Sequence, residues 1–106
     1  SLNVIPAGTP LGGVAGFFRS PEFRKTVAAL RYAAPLVVFD SPPILAASEA
    51  VDIASQVDGV VLVVERGTPL RELEETRGRL EMIGKPLLGY VFNRAMPRSG
   101  RYGYGK

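Results

Sequence analysis

A chain of 106 residues, 46% hydrophobic and 22% charged, has the size and composition of one small globular domain with a single core. It contains no cysteine and no histidine, which excludes disulfides, thiolate metal sites and the usual zinc ligands, so any metal would be a hard ion such as magnesium held by oxygen. The formal charge of +3 is uneven: Arg94, Arg98, Arg101 and Lys106 fall in residues 94–106 with no acid among them, leaving a near-neutral body and a basic end.

Four β-like runs alternate with three helical patterns. The first run, residues 2–5, leads into Gly8-Thr9-Pro10-Leu11-Gly12-Gly13, which has the G-x-x-x-x-G spacing of a phosphate-binding loop. Val14 and Ala15 follow where such a loop requires Lys and Ser or Thr. Nothing local would then neutralise a terminal phosphate or hold magnesium, and the stretch reads as an ordinary loop. Residues 21–32 place Phe23, Val27, Leu30 and, just beyond, Ala34 at spacings of three and four, with Ser20 as N-cap and Pro21 at the first helical position. Residues 36–40, LVVFD, form the second run and are followed by Ser41-Pro42-Pro43.

Residues 48–57 bring Ala50, Ile53, Ala54 and Val57 to one helical face before the Asp58-Gly59 turn. The third run covers 59–65. A helix over 70–83 follows, opened by Thr68 or Pro69, closed by Gly84, and turning Leu73, Thr76, Leu80 and Ile83 inward. The last run is 86–93. Neither VVLVV nor LVVF alternates polar with apolar residues, so both faces of those strands are expected to be covered. With β and α elements alternating, this predicts an α/β fold of three layers: a mainly parallel four-stranded sheet with flanking helices over residues 1–93, and a Gly/Arg/Tyr tail over 94–106.

In such sheets ligands bind beyond the carboxyl ends of the strands, where Asp40-Ser41, Glu65-Arg66 and Asn93-Arg94 should gather on one rim. The two prolines after Ser41 cannot continue a ladder, so the chain leaves the sheet there and Asp40 stays at the rim. A carboxylate so placed can hold a magnesium-bound water beside a nucleotide phosphate, or it can cap the next turn; the pattern alone divides these evenly. Asn93 has the same two readings. Its amide both donates and accepts, which suits an adenine edge, and an Asn also ends a strand in a simple turn. Tyr102 and Tyr104, set among glycines beside Arg101 and Lys106, suggest a modification or docking segment, or a disordered tail with no such role.

Taken in order, NVIPAG, LVVFDSPPIL, SEAVDIA, DGVVLVVERG, GKPLLGYVFNR and a tail containing YGYG resemble the C-terminal half of the bacterial tyrosine kinases of capsule and exopolysaccharide production. The resemblance covers nearly the whole chain, with DSPP, the GYVFN strand and the tail tyrosines as its most specific pieces. It implies a partial P-loop NTPase fold, with Asp40 as the Walker B acid acting on magnesium through water and Asn93 contacting the adenine of ATP. It also implies that Tyr102 and Tyr104 are phosphoacceptors, served by a neighbouring subunit of a self-associating kinase. The implied partner is a membrane-spanning polysaccharide co-polymerase that activates the kinase, at the cytoplasmic face of the plasma membrane.

The chain departs from the family in three ways. Its tail has two tyrosines only, the stretch after Pro10 lacks the usual Asn-Pro, and no GxxxxGK[ST] occurs in the 106 residues. The expectation is therefore a C-terminal piece, inactive alone for want of the phosphate-binding half. Two other readings stay open: a non-catalytic interaction domain that meets a membrane partner through its basic end, and a fragment of a partition or septum-positioning ATPase. No nucleic-acid partner is expected, because no basic stripe occurs outside the tail.

Overall fold

The computed structural model describes residues 2–10 and 16–94. A short 3₁₀ turn, Phe17–Arg19, precedes helices α1 (Pro21–Ala33) and α2 (Ser48–Ala54), strand β1 (Val60–Glu65), helix α3 (Leu70–Ile83) and strand β2 (Leu87–Asn93). The helix ends follow from local chemistry. Ser20 Oγ accepts from the Phe23 N–H at 3.2 Å and donates to the Phe17 carbonyl at 2.6 Å, and Pro21 at the first position gives up no needed donor. At the other end of α1, Ala34 is extended because it precedes Pro35, and its N–H closes on the Leu30 carbonyl at 3.0 Å. Helix α3 ends at Gly84, whose φ of 81° lets its N–H reach Leu80 at 3.0 Å and Glu81 at 3.1 Å while the Lys85 N–H also returns to Leu80.

Helix α2 stops three residues short of the expected Val57. Ser55 Oγ donates to the Asp52 carbonyl at 2.7 Å, and the Gln56 amide donates to the same carbonyl at 3.2 Å and to the Phe18 carbonyl. Polar side chains thus take the acceptor that a continuing helix would use, and residues 55–57 become a turn.

The core consists of Val27 from α1, Ala50, Ile53 and Ala54 from α2, Val64 from β1, and Thr76 and Leu80 from α3. Leu80 is 1% exposed, and buried Thr76 is satisfied by donating to the Glu72 carbonyl at 2.9 Å. Apart from Val64, these are residues that the helical spacings turn inward; Phe23, Leu30, Ala34, Val57, Leu73 and Ile83, which the same spacings select, are half-buried. Phe18 and Phe23 meet edge to face at 4.9 Å, Phe17 joins them, and Phe23 reaches Phe39 at 6.2 Å, tying the segment after α1 back to that helix.

Strands β1 and β2 are parallel, joined through α3, and run in register from Val61↔Gly89 to Glu65↔Asn93 after an irregularity between Val60 and Val61. Beside that irregularity, a Cβ on Gly59 would stand 2.8 Å from the Leu88 side chain, so the close approach of Leu88 depends on glycine there.

The sheet differs from the expected four strands. Among the described residues only two strands pair, and residues 2–5 and 36–40 run without strand partners. The expected cover on both faces is also missing from β1, where Val61 and Val63 are 52% and 61% exposed while Val64 is buried. Tyr90 shares a groove with Leu70, Leu73, Glu74 and Arg77 of α3, and the pairings Leu62↔Tyr90 and Val64↔Phe92 put those residues on the same face. Helix α3 therefore lies on the Leu62, Val64 and Tyr90 side. The Val61, Val63 and Val91 side carries no helix among the described residues, and the three layers reduce to two. The cause is partner supply: a strand's backbone groups are satisfied by a neighbour, and among the described residues β1 has one.

Candidate nucleotide-binding rim

The carboxyl ends of β1 and β2 meet as parallel geometry requires. Glu65 and Asn93 are register partners, so both end their strands at the same edge. Arg94 follows with a left-handed φ of 56°, and its Nη1 stands 4.0 Å from Glu65 Oε2 across that edge. Both side chains are well exposed, so the pair is a loose one. Just past β1, the Thr68 hydroxyl and backbone N–H both return to the Glu65 carbonyl, at 2.8 and 3.1 Å, and turn the chain into α3. Two of the three polar pairs expected at the rim are thus brought together by the sheet itself.

Asp40 is positioned differently. Val37 and Phe39 are half-buried, Leu36, Val38 and Asp40 are exposed, and the contact of Phe39 with Phe23 fixes the segment against α1. Its backbone has no strand partner among the described residues, and no hydrogen bond or ion pair joins Asp40 to Glu65, Asn93 or Arg94. The Asp40 carboxylate also accepts no bond from the turn that follows, where Ser41 Oγ donates to the Pro42 carbonyl at 3.1 Å. It is an exposed carboxylate without a described partner. No cluster of three or more potential metal ligands occurs among the described residues. This donor set fits a magnesium ion only if Asp40 acts through water and phosphate oxygens complete the shell.

Asn93 is exposed at the end of β2, with its amide open to a ligand. Residues 11–15 of the glycine-containing loop, and Tyr102 and Tyr104, lie outside the described residues. The Glu65–Arg94 pairing was not evident in the sequence, because it depends on the register of two strands separated by a helix. The groove between α3 and β2 was not evident either. It measures about 180 Å³ and opens beside Tyr90.

The rim of a parallel β-α-β unit is shared by many nucleotide-binding proteins, and comparison with known sequences narrows it. The chain is 30% identical over 110 residues to the tyrosine-protein kinase CpsD of Streptococcus agalactiae, covering 99% of this chain and 48% of that protein. It is 34% identical to the putative tyrosine-protein kinase EpsB of Ralstonia nicotianae over 98% of this chain and 14% of that protein. With the tyrosine-protein kinase YwqD of Bacillus subtilis it shares 31% identity over 97% of this chain and 44% of that protein. The chain is a homologue of the bacterial tyrosine kinases. It spans about half the length, or less, of the curated relatives it matches. No family model and no solved structure matches it. Within the described residues no helix is long and apolar enough to cross a membrane.

Proposed function

We propose that this chain is the C-terminal part of an ATP-dependent protein-tyrosine kinase, an autokinase regulating capsular or exopolysaccharide synthesis and export. The single observation that carries this reading is the near-complete alignment of the chain with less than half of each kinase relative. The parallel β1-α3-β2 unit with Glu65 and Asn93 on one rim is consistent with it. In this reading residues 1–93 belong to the kinase domain and residues 94–106 form the tail that receives phosphate at Tyr102 and Tyr104. Asp40 orients water on magnesium, and the Asn93 amide meets the adenine edge. Bound ATP supplies the phosphoryl group.

The fuller fold belongs to the same proposal. The uncovered Val61, Val63 and Val91, the unpaired edge of β1, and the exposed Leu36 and Val38 are surfaces that further strands and another helical layer would cover. The phosphate grip also comes from outside these residues, since Gly8 to Gly13 is not followed by Lys and a hydroxyl. Alone, the 106 residues hydrolyse no ATP and tend to self-associate through their exposed apolar surface. In the intact protein the partners are further kinase subunits and a membrane polysaccharide co-polymerase, met at the cytoplasmic face of the plasma membrane.

The test is Asp40→Asn in a longer kinase polypeptide carrying this sequence. The substitution should lower tyrosine autophosphorylation by about 10²-fold or more, as loss of a group stabilising transition-state charge does. Autophosphorylation at the unaltered rate would refute the role.

A further inference from the structure

The chain has four tyrosines, and two of them, Tyr32 and Tyr90, are among the described residues. They differ in every property that governs access. Tyr90 is 47% exposed, sits mid-strand in β2 opposite Leu62, and stands against α3 beside Leu73 and Arg77. Tyr32 is 95% exposed, in the last turn of α1, and its hydroxyl makes no hydrogen bond to any described residue. A ring of this size left almost wholly in water adds nothing to the core.

The surroundings of Tyr32 favour its entry into another protein's active site. The residues three and four before it, Ala29 and Ala28, and the one after it, Ala33, are small and exposed, so no neighbouring side chain shields the ring. The last turn holds little in place. Arg31, Tyr32 and Ala33 are all exposed, and Ala34 and Pro35 already leave the helix. Opening that turn breaks the last intrahelical backbone bonds, the Ala34 N–H to Leu30 bond among them, and the exposed Arg31–Asp58 pair at 3.0 and 3.2 Å. Arg31 is also the cation adjacent to the hydroxyl-bearing residue, available to offset the charge of a phosphate there.

We propose that Tyr32 is a phosphoacceptor of a bacterial tyrosine kinase, separate from the tail. The inference rests on the functional reading above, because the kinase must recognise this chain as substrate. In the transfer, the bond between the γ-phosphorus of ATP and the ADP oxygen breaks. A bond from that phosphorus to the Tyr32 phenolic oxygen forms, and the phenolic proton passes to a base or to solvent. Tyr90 is not an acceptor, since presenting its ring would require breaking the β1-β2 ladder.

The experiment incubates the 106-residue protein with intact CpsD of Streptococcus agalactiae, ATP and magnesium, and maps phosphate by peptide mass spectrometry. A Tyr102→Phe/Tyr104→Phe variant isolates sites outside the tail. Phosphate is expected on Tyr32 in both proteins, lost when Tyr32→Phe is added and retained when Tyr90→Phe is added. Both added changes are at least partly exposed, and circular dichroism checks that each variant remains folded. Phosphate on the tail with none on Tyr32 overturns this inference and leaves the functional reading standing. Phosphate on Tyr90 but not Tyr32 also overturns it, and no phosphate on any tyrosine overturns both.

Discussion

The helical side of the molecule and its sheet side are completed to different degrees. On the helical side, α1 is capped by Ser20, α3 is closed by Gly84, and the inward residues Val27, Ile53 and Leu80 are buried. On the sheet side, among the described residues, β1 has one neighbour, Val61 and Val63 are exposed, and the LVVFD segment has no strand partner. The difference follows from where each element finds its hydrogen bonds. A helix satisfies its backbone within itself and needs only one covered face, whereas a strand depends on chain that is remote in sequence. Helices α1 and α3 therefore form as their sequence dictates, and among the described residues two of the four strand-like runs do not pair.

The most severe way to test this contrast is to cut into the closed side. Leu80→Ala should cost about 3 kcal/mol, in the usual range for a buried leucine, read as a lower urea midpoint. Val63→Ala, on the open face, should move the same midpoint by no more than about 0.5 kcal/mol. Equal losses would mean that the open face is covered in solution. Next in size, Gly84→Ala puts a Cβ at a left-handed φ and should cost about 1 kcal/mol. Ser20→Ala should cost about 1 kcal/mol by leaving the Phe23 N–H without its acceptor; a second stability measurement on Ser20→Asp, which keeps an acceptor, should recover most of it. The smallest effect belongs to Arg31→Ala. Its pair with Asp58 is exposed on both sides, so the loss should stay below about 1 kcal/mol and shrink further in 1 M salt.

The sequence was most legible where a short stretch decides the outcome. Ser20-Pro21 starts α1, Gly84 ends α3, and the spacings through Val27, Ala50, Ile53, Ala54, Thr76 and Leu80 pick out most of the core. The end of α2 was missed by three residues because Ser55 and Gln56 compete for the Asp52 carbonyl, a choice their apolar neighbours do not reveal. At the rim, parallel pairing brings Glu65 beside Asn93 as the order of elements implies, but the ion pair of Glu65 with Arg94 depends on register and on the left-handed turn at Arg94. From LVVFDSPP, Asp40 reads as a rim carboxylate; the structure shows it exposed at the end of a run outside the two-stranded sheet. Residues 36–40 find no strand partner among the described residues, and no bond joins Asp40 to Asn93; sequence spacing does not say which strand such a run would pair with. The family resemblance supplied the functional reading that composition alone could not, and the alignment with CpsD, EpsB and YwqD bears out the homology.

The central claim is that these residues belong to a kinase domain whose sheet is completed by other parts of a longer polypeptide. Hydrogen exchange at the backbone amides of residues 36–40 tests it most directly, measured in the 106-residue protein and in a longer kinase polypeptide carrying the same sequence. The account predicts rapid exchange in the short chain, where these residues have no strand partner among the described residues, and strong protection in the longer one. Equal exchange rates in the two would contradict it.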